Sequence, residues 1–153
     1  MLELYHGSNL FIDKIDFTKC KPYKDFGQGF YLTDIFPQAM DMAIKRSRII
    51  GSGSPVVTKF LFDEKLLTDG SLKVLTFDSP SIEWAKFIIA NRKRDNDKFV
   101  HGYDVVVGPV ADDGVAFQLE RYLNGGDEFR TTCKRVDLQK VESPVFFRYG
   151  KSY

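Results

Sequence analysis

The sequence predicts a single strand-rich α+β domain, and three observations predict it. Short β-prone runs bounded by Gly, Pro and Asp recur along the chain, and three stretches with helical character lie among them. No repeat, low-complexity tract or convincing linker divides the 153 residues, so one domain spanning 1–153 follows, large enough to bury a core around a cleft.

Taken in order, Leu2, Leu4 and Tyr5 lead into His6-Gly7-Ser8 and predict a first strand that ends in a polar side chain and a bare backbone. A second strand is expected at Phe30-Tyr31-Leu32-Thr33, where Gly27 and Gly29 mark a tight approach to it. Pro37 suits a first helical turn, and good helix formers continue from it to Arg46. Gly51-Ser52-Gly53-Ser54-Pro55 stops that helix, and Val56 to Phe62 then alternates as a partly buried strand before turning wholly apolar. A further strand is expected over Leu72–Phe77. Ser79-Pro80-Ser81-Ile82-Glu83 has the form of a helix N-terminus, and Ile82, Ala85, Ile88 and Ile89 recur at helical spacing through Asn91 as a face for the sheet.

In the second half, the Val105-Val106-Val107 interior of a run from Tyr103 to Val110 has the composition of a strand buried on both faces. Asp112-Asp113-Gly114 caps a helix from Val115 to Leu123, closed by Asn124-Gly125-Gly126. Cys133–Leu138 and Val145–Tyr149 are the last two expected strands, with Glu142-Ser143-Pro144 joining or bulging between them.

Charge excludes little and advertises little. With 22 Lys+Arg against 21 Asp+Glu there is no global field for nucleic acid or an anionic membrane. Three local clusters, Lys45-Arg46-Ser47-Arg48, Arg92-Lys93-Arg94 and Lys134-Arg135, could touch phosphate, although such runs are most often solvated faces. Cys20 and Cys133 stand far apart with no second Cys or His at ligand spacing, so neither a metal site nor a disulfide framework is expected. The N-terminus lacks a basic segment followed by a long apolar one, and no run has the length of a membrane span. A cytoplasmic protein with no membrane partner is therefore the expectation.

His6 alone would more often be a satisfied core histidine than a ligand, Gly27 and Gly29 could serve only a turn, and Tyr31 could be one aromatic among many. Those readings explain each residue but not their joint occurrence. A glycine after His6 lets a flat ligand approach the main chain. His101, in Val100-His101-Gly102, is expected to be structural, and Asp112-Asp113-Gly114 is most simply a cap.

Together, His6-Gly7-Ser8 and Gly27-Gln28-Gly29-Phe30-Tyr31-Leu32-Thr33-Asp34 resemble the first two signature strands of ADP-ribosyltransferases of the diphtheria-toxin and poly(ADP-ribose) polymerase type. More closely, Leu4 to Ser8, Lys24 to Thr33 and Asp104 to Asp113 are similar to DUF3990, a bacterial family resembling small ADP-ribosyltransferases; this likeness covers roughly the first four-fifths of the chain. It implies a split sheet around an NAD cleft with peripheral helices, NAD as co-substrate, transfer of ADP-ribose to a protein or nucleic-acid acceptor, and a toxin-like or defence role with a cognate antitoxin as a possible partner. By the same resemblance His6 would bond the ribose hydroxyls, Gly7 main-chain groups and the Ser8 neighbourhood would hold the carboxamide, and Tyr31 would stack on nicotinamide as a surface rather than a core element. Gly29 would line the same cleft. Lys24 either reaches the pyrophosphate or is a solvated loop lysine.

The third signature group, a glutamate on a late strand, is not reproduced. Glu142 is the nearest acid to the last strand, the Asp112/Asp113 pair is a second route with Asp113 as its catalytic candidate, and a site without an acid is a third. Two other functions stand beside the transferase: a module that binds NAD, ADP-ribose or a protein without catalysis, and an RNA 2′-phosphotransferase, whose expected arginine-rich pattern is absent.

Overall fold

A computed structural model of the chain describes residues 1–94, 99–125 and 144–148. Six strands, β1 (Leu2–Ser8), β2 (Phe30–Thr33), β3 (Val56–Phe62), β4 (Val74–Thr76), β5 (Val105–Pro109) and β6 (Pro144–Arg148), form a sheet in the order β3-β1-β2-β6-β5-β4. All neighbours are antiparallel except β4 and β5. Three helices, α1 (Phe36–Ile50), α2 (Ile82–Arg92) and α3 (Asp113–Leu123), complete a mixed α+β architecture.

The sheet is nearly cut in two. β1 and β3 pair along seven positions, from Leu2↔Phe62 to Ser8↔Val56. β1 and β2, by contrast, share the single pair Tyr5↔Thr33. If that register continued, Gly7 would lie opposite Tyr31. The ladder stops there instead, and it stops at His6-Gly7-Ser8 on one strand and at Tyr31 on the other.

Local sequence explains the elements. Pro37 sits in the first turn of α1, and Gly51, at φ 71°, ends it by taking the left-handed conformation while its N–H reaches Ser47 O at 2.9 Å. The helix runs four residues past Arg46 because nothing in Ser47-Arg48-Ile49-Ile50 breaks it. Ser81 caps α2 by accepting from Trp84 N at 3.1 Å, and Asp112 caps α3 by accepting from Val115 N at 2.7 Å. The expected apolar stripe of α2 needs correction: Ile82 is exposed, and Trp84 takes the core position with Ala85, Ile88 and Ile89. Trp84 can be fully buried because its Nε1–H donates to Pro109 O at 2.7 Å.

Two apolar regions result. Trp84, Ala85, Ile88 and Ile89 of α2 meet Val115 and Leu119 of α3, Val106 of β5, and Phe26 from the β1–β2 loop. On the other side of the split, Ala39 and Ala43 of α1 pack on β1. The Cys133–Leu138 strand expectation lies outside the described residues.

Candidate functional site

The site is built where β1 and β2 part. Tyr5 and Thr33 are paired and so share a face, and by strand alternation Gly7 and Tyr31 share it too. α1 lies on this face: Tyr5 packs edge-on against Phe36 at 5.4 Å, and a Cβ at Gly7 would stand 1.9 Å from Ala39 O and 2.8 Å from Ala43 N. The side chain missing from Gly7 therefore makes room for a helix. The expectation that it makes room for a flat ligand is corrected to that extent: Gly7 is buried, and it is the α1 backbone that comes close to it.

His6 points to the opposite face, where its ring stacks on Phe30 with centroids 4.2 Å apart and planes 24° from parallel. Its Nδ1 lies 2.8 Å from Tyr31 O. A carbonyl only accepts, so Nδ1 carries the proton and donates, and in the neutral ring Nε2 keeps its lone pair. The imidazole thus replaces the main-chain bond that a continued β1–β2 ladder would have made. Burial lowers the His6 pKa, with the nearby Arg46 charge acting the same way and the bond to Tyr31 opposing both.

Tyr31 is more deeply integrated than its sequence context indicates. Its hydroxyl donates to Gly27 O at 2.9 Å and accepts from Phe26 N at 3.0 Å, and its ring runs nearly parallel to that of Phe26, 13° off with centroids 6.4 Å apart. The ring packs against the core around Trp84. The expectation of a stacking surface that is no part of the core is corrected here. Burial raises the tyrosine pKa far above its ordinary value, so the hydroxyl stays protonated.

The turn that Tyr31 clasps is held from three further directions. Phe26 O accepts from His101 Nε2 at 2.7 Å, and His101 Nδ1 in turn accepts from Tyr103 N at 3.3 Å, so both ring nitrogens serve the fold. Burial lowers the His101 pKa, which matches a neutral ring in this role. The buried Asp25 carboxylate accepts from Arg92 Nε at 2.7 Å and from Ala111 N at 2.8 Å, joining the loop to α2 and to the β5–α3 connection. Gly27 adopts φ 86°, and a Cβ there would fall 2.8 Å from Asn91 Oδ1. The sequence assigned no role of their own to Asp25, Phe26 and Asn91, and it placed Arg92 only in a basic cluster that could touch phosphate. The Asp25–Arg92 pair spans 67 positions and has no local signal; only the buried stripe of α2 running to Asn91 placed its partner near the core.

The other candidates distribute as follows. Ser8 is buried at the end of β1, paired with Val56, and Gly29 is buried just before β2. Lys24 is exposed beside Asp25; burial of part of its length lowers its pKa, and the charges of Lys21, Arg46 and Arg92 lower it further against the pull of Asp25. Asp112 is engaged as the α3 cap, and Asp113 is the first residue of that helix, with its side chain outside the described parts. Glu142 lies outside the described residues; the strand that follows it begins at Pro144, opposite Pro109. Phe147 is the β6 residue opposite Tyr31. Among the described residues no cluster of three His, Cys, Asp or Glu side chains forms a metal site, and no helix is long and apolar enough to cross a membrane.

With this geometry in hand, comparison gives one positive result: the profile described as "Protein of unknown function (DUF3990)" matches residues 2–152. The chain belongs to the DUF3990 family. No curated protein and no solved structure matches it. The DUF3990 match covers β6 and the segment before it as well as the two N-terminal motifs, so the split between β1 and β2 and the late strand beside β2 lie within one family domain.

Proposed function

We propose that this DUF3990 chain is an NAD-dependent mono-ADP-ribosyltransferase that modifies a bacterial macromolecule, in the setting of a toxin or defence effector. The observation that carries the reading is the His6–Tyr31 junction. A histidine fixed through Nδ1 to Tyr31 O, where the β1–β2 ladder stops, presents Nε2 as the acceptor for a ribose hydroxyl. After Tyr5, β1 stays paired with β3 but has no further partner in β2, and on that side the Gly7 main chain would meet a carboxamide, which needs one donor and one acceptor. Lys24, exposed on the β1–β2 loop, would meet the diphosphate.

In the reaction the bond between ribose C1 and the nicotinamide nitrogen breaks. Nicotinamide leaves neutral, having taken the bonding pair, and the ribose becomes oxocarbenium-like. An acceptor heteroatom then bonds to C1 and releases its proton to a nearby base or to water. Positioning of the ring by Tyr31 and of the ribose by His6 supplies orientation. A carboxylate near C1 would stabilise the developing positive charge, and Glu142 and Asp113 remain its candidates.

Labelled NAD incubated with the full chain and a bacterial lysate tests the reading, with nicotinamide release as the first readout. His6→Ala should lower release roughly 5- to 150-fold at unchanged near-ultraviolet circular dichroism, corresponding to about 1–3 kcal/mol for a bond lost in a cleft. Glu142→Gln should lower turnover by about 10²–10³ with little change in NAD binding if it supplies the carboxylate. An inactive Asp113→Asn beside an active Glu142→Gln moves that role to the start of α3. A protein that binds NAD yet never cleaves it with any lysate is instead the binding module, the reading that the departure of Glu142-Ser143-Pro144 from the signature sequence favours.

A further inference from the structure

Lys21, Tyr23, Lys24, Arg46, Arg92 and Arg94 come from three separate segments and gather around the β1–β2 loop. The Arg94 guanidinium lies 5.4 Å from the centre of the Tyr23 ring, which ties the β1–β2 loop to the residues after α2. Two residues earlier, Arg92 is committed to Asp25. Between them Lys24 feels the charges of Lys21, Arg46 and Arg92, and the same Arg46 acts on His6. Asp25 is the one carboxylate among the described residues that acts on Lys24, and it is already occupied by Arg92 and the Ala111 N–H. Arg92 also reaches Glu120 at 3.7 Å, so among the described residues Lys21, Lys24, Arg46, Arg92 and Arg94 stand against Asp25 and Glu120, and cations are in excess although the chain as a whole is nearly neutral at +1.

Tyr23 adds a second feature. It is the one non-glycine residue among those described with positive φ, at 60°. Such a backbone costs free energy and persists where surrounding contacts over-determine it, as the Arg94 contact does here. A phenol ring beneath a guanidinium, flanked by lysines, is the combination that holds unpaired bases by stacking and phosphates by charge.

We propose that this cluster binds single-stranded nucleic acid and presents it to the His6–Tyr31 junction as the ADP-ribose acceptor. Lys21 and Arg46 meet phosphates, and the Tyr23–Arg94 pair carries a base. An acidic protein face would satisfy the cations but has no use for the planar pair. The acceptor role rests on the transferase reading above: the C1–nicotinamide bond breaks, a base nitrogen or a hydroxyl of the strand bonds to C1, and that nitrogen or hydroxyl gives up its proton. The binding itself does not rest on it.

Fluorescence anisotropy of the full chain with a roughly 12-nucleotide labelled DNA strand, and separately an RNA strand, tests the binding without NAD. At least one strand should bind with salt-dependent affinity. Lys21→Gln with Arg94→Gln should weaken it about tenfold or more and flatten the salt dependence, since about one counterion is released per phosphate contact. Tyr23→Asn, which tolerates the left-handed backbone, should weaken it roughly fivefold or more. Neither variant should change slow NAD hydrolysis in the absence of acceptor. Failure of both strands to bind, indifference to these substitutions, or equal competition by polyglutamate overturns this site. Labelled NAD added to the bound strand should leave label that resists protease and yields to nuclease. Label found on lysate protein instead overturns the acceptor role and leaves ADP-ribosyl transfer standing, whereas uncleaved NAD overturns the acceptor role together with the transfer reading.

Discussion

Tyr31 pins Phe26 and Gly27 through its hydroxyl, and in the proposed transferase the same ring would also face nicotinamide. Tyr31→Phe keeps the ring and removes the pin. It should cost about 1–3 kcal/mol, read by urea denaturation, because Phe26 N–H loses its partner in a part-buried place. Nicotinamide release per folded molecule should survive in that variant and vanish in Tyr31→Ala, which also loses packing against the core. The two histidines set a pH dependence. Both have pKa values lowered in the folded protein, so between the folded value and the unfolded value of about 6.5 the unfolded chain binds more protons. Stability should therefore be complete above about pH 7 and fall as the medium is acidified below about pH 6.5. Thermal melts from pH 5 to 8 check this, and His101→Gln should reduce the slope. Melting temperatures that rise on acidification would refute the neutral-imidazole assignment.

At the scale of elements, the contact between β1 and α1 makes the sharpest demand. A methyl group at Gly7 would strike the backbone of α1 at two atoms, and backbone cannot step aside as a flexible side chain can. Gly7→Ala should cost about 3 kcal/mol or more by denaturant unfolding, and fluorescence of the buried Trp84 should report the change late, since it belongs to the other apolar region. An unchanged midpoint would mean that α1 does not rest on Gly7. How legible the elements were follows from the range of the forces that make them. Val56–Phe62 and the Asp112 cap could be read from the sequence because alternation and a capping carboxylate act within a few residues. The His6 and Tyr31 strands were legible for the same reason. The clamp of Asp25 on Arg92 and Ala111, and the reason Gly7 is glycine, were not, because each depends on a partner brought from a distant segment by the fold. The misplacement of Ile82 shows the other limit: Ile82 and Trp84, two apart, point to nearly opposite sides of α2, and packing of Trp84 against β5, with its bond to Pro109 O, turns the Trp84 side inward.

For the whole molecule, the single β1–β2 pair implies two units that depend on each other weakly. One holds β1, β3 and α1; the other holds β4, β5, β6, α2 and α3, with β2 attached to β6 along four positions. The His6–Tyr31 bond, the stack of His6 on Phe30 and the edge contact of Phe30 with Phe60 bridge the seam. Native-state hydrogen exchange should therefore resolve two opening free energies, with amides of β1 and β3 exchanging together and those of β5 exchanging separately. A ligand seated across the seam must stabilise both units, because opening either one destroys its site. At a free concentration near one hundred times its dissociation constant, NAD should add about 2.7 kcal/mol, or roughly 5–10 °C in melting temperature for a domain of this size. Protection should rise together in β1 and β5. If NAD slowed exchange in only one unit, it would be bound to that unit alone, and the cleft between His6 and Tyr31 would not be its site.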